Sequence, residues 1–218
     1  MSGFGSGLTN KMQVSAKIFC VGANKTGTTS LEAFFKTLGL ALGDQAEGEL
    51  LIRHWAVRNF VPIVELARSA QVFQDMPFSL PFTYVALDEA FPTAKFILSV
   101  RDSAEQWYHS LTRFHARLIG KGRLPTANDL KDCPYRHKGW LFEAMQLIYG
   151  VSEKEPYEKS RLIAQYEGHN RAVADYFRLR PESLLTLNLA ETDAAAKIMS
   201  FLKLPFTGET MPHLNRSV

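Results

Sequence analysis

From Lys17 to Leu40 the chain reads KIFCVGANKTGTTSLEAFFKTLGL, and no other stretch restricts the fold as tightly. Lys17 to Val21 is a short, apolar, β-prone run, as expected of a strand buried on both faces of a parallel sheet. From Thr28 the period changes. Leu31, Phe34, Phe35 and Leu38 recur at helical spacing, and Gly39 stands where a helix cap belongs. A glycine-bounded turn, Gly22 to Gly27, therefore joins a buried strand to a helix. Such a turn offers unpaired N–H groups and the positive end of the helix dipole, which together favour an anion. The turn keeps the G-x-x-x-x-G spacing of a nucleotide-binding P-loop, but Thr28 stands where the lysine belongs, and a lysine occurs upstream at Lys25.

The rest of the chain alternates in the same way. Residues 47–69 read as helical, with Leu50, Leu51, Trp55, Val61 and Val64 apolar and Pro62 breaking or restarting the helix. Residues 71–73 form a weak strand, followed by a turn with Asp75 and Pro77. A helix over 84–91 leads to a strand over 95–100 (KFILSV). Ser103 with Gln106 resembles a capping box ahead of the stripe Trp107, Leu111, Phe114 and Leu118. Residues 120–158 are either a surface excursion with its own helix or a lid that binds the acceptor, carrying Tyr135, Trp140 and Phe142. A long helix over 161–179, a strand over 184–189 and a last helix over 193–202 complete the pattern. Strands alternating with helices predict an α/β fold, a three-layer sandwich around a central parallel sheet, P-loop NTPase-like. A length of 218 residues suits one domain, placed at 17–218 after a flexible tail over 1–16.

Composition narrows the function. A net charge of +3 fits an anionic small ligand and is too weak to argue for nucleic acid. The six histidines show no metal-ligand spacing, so no metal site is expected. Cys20 and Cys133 lie far apart, with Cys20 inside an apolar run, so neither a disulfide scaffold nor an oxidising compartment is indicated. No signal-peptide core or spanning run is visible, and a cytoplasmic location is expected.

Thr28 cannot carry the charge that a P-loop lysine brings to the β- and γ-phosphates. Lys25, at the loop apex, can address one bridging oxygen just above a first phosphate, while Thr26, Thr28, Thr29 and Ser30 add hydroxyl donors. That describes a ligand with a single 5′-phosphate and a group attached to it, in chemistry that does not require magnesium. 3′-Phosphoadenosine 5′-phosphosulfate (PAPS) has this shape and needs a separate basic site for its 3′-phosphate. Arg101 follows the strand KFILSV at the edge where open α/β sheets bind ligands, and Ser110 lies nine residues on, in the next helix. A rival reading makes Asp102 a magnesium ligand at the end of a Walker-B-like strand, against which the displaced lysine argues.

VGANKTGTTSL resembles the 5′-phosphosulfate loop of the PAPS-dependent sulfotransferases, P-K-T/S-G-T-T, and RDSAEQWYHS is similar to their 3′-phosphate motif. FPTAKFILSVRD, YEGHNRAVADYFRLRPESLLTLNL and MPHLNRS resemble further segments of the smaller, often bacterial, branch. Two positions depart from the pattern: Asn24 replaces a proline before the lysine, and His109 stands where the serine is usual, leaving Ser110 as the nearest hydroxyl. The resemblance implies sulfonate transfer from PAPS to a hydroxyl or amine of a small-molecule, lipid or sugar acceptor, releasing 3′-phosphoadenosine 5′-phosphate (PAP). Lys25 would stabilise the leaving group, Thr26, Gly27, Thr28, Thr29 and Ser30 would hold the 5′-phosphate, and Arg101, Ser110 and Arg216 the 3′-phosphate. Family members place the general base near the end of the second strand, where this chain has Asp75; His54 is the second candidate, and His169 and His213 are expected to support the fold or the donor pocket. Two alternatives are an ATP-dependent P-loop kinase and a catalytically silent PAP-binding protein.

Overall fold

The computed structural model describes residues 16–212. Its centre is a four-stranded sheet in the order β2-β1-β3-β4, with every pair parallel. The strands are β1 (Ile18–Cys20), β2 (Val72–Gln74), β3 (Lys95–Val100) and β4 (Leu184–Asn188). β1 and β2 are buried at every position, as the unbroken apolar runs require of strands covered on both faces.

Side-chain alternation along β1 divides the core in two. Ile18 and Cys20 face a layer built with Leu31, Phe34 and Phe35 of α1 (Thr28–Thr37) and with Ile198 and Met199 of α10 (Ala194–Phe201). Phe19 and Val21 face the larger layer. There Phe19 sits amid Phe73, Phe78, Phe91 and Phe96, with ring centroids 5.6–6.1 Å away. Around this cluster pack α5 (Thr83–Ala90), α6 (Ala104–Leu118), α8 (Trp140–Tyr149) and α9 (Lys159–Phe177). The three-layer α/β sandwich expected from the alternation of elements is the observed fold.

Two segments differ in detail from the sequence expectation. Residues 47–69 form three short helices, α2 (Gln45–Leu50), α3 (Ile52–Ala56) and α4 (Val61–Ala67). Asp44 caps the first by accepting from the N–H groups of Ala46 and Glu47, and Pro62 lies in the first turn of the third, where it starts a helix without costing a hydrogen bond. Of the five apolar residues named in this stretch, Trp55 is buried while Leu50 and Val61 are exposed. Within 120–158, α7 (Ala127–Asp132) packs on α8. Among the described residues no helix is long and apolar enough to cross a membrane.

Strand register places the site. Cys20 pairs with Gln74 and with Ile97, and Val100 with Asn188. The residues that follow the four strand ends, the 21–27 turn, Asp75, Arg101 and Leu189, thus emerge along one edge of the sheet.

Candidate active site

Gly22 and Gly27 fix the path of the turn. A Cβ on Gly22 would come within 2.3–2.6 Å of the side chain and backbone of Ser99 on β3, so only glycine lets the two strands lie this close. Gly27, at φ 109°, begins α1 in the left-handed region that glycine favours. Between them the carbonyls are tied inward. His169 Nε2 donates to Val21 O at 2.8 Å, Thr26 Oγ1 to Ala23 O at 2.6 Å, Trp107 Nε1 to Asn24 O at 2.9 Å and Arg101 Nε to Lys25 O at 2.8 Å. These loop carbonyls are therefore engaged by the protein; Ser30 and Leu31 donate to Gly27 O, and the N–H groups of Gly27, Thr28 and Thr29 are left for a ligand.

The supporting side chains are themselves fixed. Trp107 stacks on Tyr166 with centroids 4.5 Å apart and an interplanar angle of 6°. The Tyr166 hydroxyl accepts from the N–H of Arg101 at 3.0 Å. The Thr26 hydroxyl also shares a 2.6 Å hydrogen bond with Ser99 Oγ. Thr26 thus turns its side chain into the fold, and its N–H donates to Ala23 O at 3.3 Å. The structure places His169 as a support of the loop.

Lys25 holds a left-handed backbone, φ 69°, and its Nζ lies 3.2 Å from the centre of the Phe114 ring, a cation–π contact. Burial, aided by Arg117 and Arg101, pushes its pKa below the usual lysine value, while Asp75 pulls it back up. Asp75 is also left-handed, at φ 62°. Its Oδ1 accepts from the N–H of Met76 at 2.9 Å and its Oδ2 from Thr28 Oγ1 at 3.3 Å. Burial raises its pKa against the opposing pull of these bonds and of Lys25. Lys25, Thr28, Thr29 and Asp75 line one cavity of about 210 Å³. Its far wall comes from α2, α6 and the 120–158 region: Gln45, Glu49, Phe114, His115, Tyr135, Trp140 and Leu141.

His54 lies outside this cavity, exposed on α3, with Nδ1 3.4 Å from Asn59 Nδ2. The histidine in the cavity is His115, buried, hydrogen-bonded through Nδ1 to the Tyr157 hydroxyl at 2.8 Å and held neutral because burial brings its pKa down to about 4. Trp107, Leu111 and His115 form the buried stripe of α6, whereas Leu118 is exposed. The four-residue step from Trp107 through Leu111 leads to His115, a signal present in the sequence. Asp102 binds Asn188 and Gln106 and so ties β3 to β4.

Ser110 is half-buried on α6, and His109 is exposed, 3.2 Å from Glu105. The same helix brings two further cations, Arg113 and Arg117, one turn apart on its exposed side. Arg113 is near enough to depress the pKa of Arg101, which burial also lowers. Among the described residues none of Lys25, Arg101, Arg113 and Arg117 forms an ion pair. Four cations outside any direct ion pair, with Asp75 and Asp102 as the nearby acids for Lys25 and Arg101, create a field suited to an anionic ligand. Arg216 and His213 lie outside the described residues.

No curated protein matches the chain at a significant level. The sequence profile described as a sulfotransferase domain does, over residues 17–218, from the residue before β1 through the end of the chain. A glycine turn with its lysine displaced to the apex, set against Arg101 at the end of β3, is thus found in a chain that belongs to the sulfotransferase-domain family.

Proposed function

We propose that the protein transfers a sulfonate group from PAPS to a hydroxyl of a small acceptor. The observation that carries the reading is the placing of Lys25 and Asp75 on one cavity beside the 5′-phosphate loop. Backbone N–H groups of Gly27 to Thr29 would hold the 5′-phosphate, with the Thr29 hydroxyl exposed beside them. Arg101 would take the 3′-phosphate with its remaining guanidinium N–H groups, Ser110 and Arg113 being the nearest further donors on α6. PAPS supplies an activated sulfonate. The acceptor oxygen forms the new S–O bond, the bond from sulfur to the bridging phosphate oxygen breaks, and PAP leaves.

Lys25 meets the charge that develops on that bridging oxygen, leaving the Phe114 face to do so. Asp75 takes the acceptor's proton. Its raised pKa makes it a stronger base than a solvated carboxylate, and the neighbouring Lys25 and the bonds from Met76 N–H and Thr28 favour its charged form. His115 is the second base on the cavity wall, already engaged by Tyr157.

Calorimetric titration with PAP, ADP and ATP–magnesium tests the donor site. Tight PAP binding without magnesium and far weaker ADP binding is the expected result; equal affinity for PAP and ADP would remove the 3′-phosphate assignment. Lys25→Ala should lose transfer while keeping much of its PAP affinity.

A further inference from the structure

The wall of the cavity opposite the loop carries a polar chain that donor binding does not use. Glu49 is buried, 2% exposed, on α2. Its Oε2 accepts from Arg136 Nε at 2.5 Å, and its Oε1 from Gln45 Nε2 at 2.9 Å and from the Tyr135 hydroxyl at 3.5 Å. Gln45 Oε1 then accepts from Gln74 Nε2 at 3.1 Å. A carboxylate held by an arginine only accepts, so it sets the direction of both amides. Gln45 must turn its NH2 to Glu49, and Gln74 its NH2 to the Gln45 oxygen. The chain ends with a bare carbonyl oxygen, Gln74 Oε1, buried and without a partner.

A second unpartnered atom lies on another residue of the cavity lining. Among the described residues five buried side-chain nitrogen or oxygen atoms lack a hydrogen bond, and another of them is Trp140 Nε1. Gln74 and Trp140 both line the cavity and are nine-tenths or more buried. One is an acceptor and the other a donor. Buried polar groups rarely stay unpaired, since each costs about 1–3 kcal/mol. A hydroxyl can donate to one and accept from the other; an ammonium has no lone pair to offer, and an ether has no proton.

Resting on the sulfotransferase reading, we propose that the acceptor carries a second hydroxyl close to the one sulfonated, and that Gln74 Oε1 and Trp140 Nε1 recognise it. The preferred acceptor is a compact diol, with its carbon skeleton against Met76, Phe114 and Leu141. Gln45 and Glu49 act as positioning residues that keep the Gln74 carbonyl turned toward the ligand.

The test uses matched acceptors with labelled PAPS: catechol, phenol and 2-methoxyphenol, and cis-1,2-cyclohexanediol with cyclohexanol. Wild type should show kcat/KM for the diol higher by roughly tenfold or more than for its mono-ol or ether partner. Gln74→Met, close to isosteric, and Trp140→Phe should bring that ratio toward one, with PAP affinity unchanged as the check on folding. Equal use of diol and mono-ol, a ratio that neither variant moves, or no turnover of either diol by protein that binds PAP overturns the proposal. Failure of the wild type to bind PAP overturns the donor reading and this one with it.

Discussion

Asp75 illustrates how one side chain can lower stability and support activity. It follows a buried strand, turns left-handed and carries a carboxylate into a site where burial disfavours its charge. Its pKa is higher in the folded than in the unfolded chain, so the native state holds the proton more tightly. Stability therefore falls as pH rises from the ordinary value, 3.8, through the raised one, and Asp75 contributes less stability at neutral pH than in acid. Asp75→Asn keeps an acceptor for the Met76 N–H and tolerates the left-handed backbone. Turnover should fall by roughly 10²–10⁴-fold, the usual worth of a general base, while the melting temperature holds or rises. Scanning fluorimetry alongside initial rates decides it, and a drop of several degrees would show that the charge is holding the turn. The acid limb of the wild-type rate profile should lie above pH 3.8. His115, with a pKa of about 4, does not titrate in the usual histidine range.

Helix α6 organises most of the site. Its buried side delivers Trp107 to the loop carbonyl of Asn24 and His115 to the cavity; its exposed side delivers Arg113 and Arg117. Replacing either arginine by alanine should weaken PAP binding roughly 3- to 10-fold and flatten its salt dependence, as expected for charges acting through solvent. Titrations at two ionic strengths would show this. Trp107→Phe should cost about 1 kcal/mol through the lost bond to Asn24 and slow turnover by loosening the loop. The elements with a clean period were legible in the sequence: the turn between strand and helix, the KFILSV strand and the start of the α6 stripe. The stripe was misread at its end because Phe114 is drawn to Lys25 while His115 takes the buried position. In the run over 47–69 the break at Pro62 was legible, whereas the break at Leu51 and the left-handed turn at Arg58 were not, because neither carries a glycine or proline. Glu49 was missed because a single carboxylate between leucines and glycines reads as surface; only packing against Arg136 and Gln45 reveals it as buried.

Across the whole molecule, parallel register brings four remote segments to one edge, and the rest of the chain keeps them there. α9 crosses the sheet from the Tyr166 contact to a clamp at its far end. Arg180 donates to both Asp88 oxygens, at 3.1 and 2.8 Å, and the Tyr176 hydroxyl donates to Oδ2 at 2.8 Å. Asp88→Ala should lower stability by about 1–2 kcal/mol, or about 3–6 °C in melting temperature, because Arg180 can still reach water. PAP affinity should not change, since the clamp is outside the phosphate-binding segments; a coupled loss would show that α9 transmits to the loop.

Arg101 joins the two halves of the proposed donor site mechanically. Its Nε donates to the carbonyl of Lys25, the residue whose amine is proposed to meet the leaving group. A ligand that draws on the rest of the guanidinium through a 3′-phosphate would also tension the loop that carries the lysine. The two ends of the donor would then be read in concert. A donor lacking the distal phosphate would lose turnover rate as well as grip, and a lysine at position 101 would conserve the charge while severing the crosstalk.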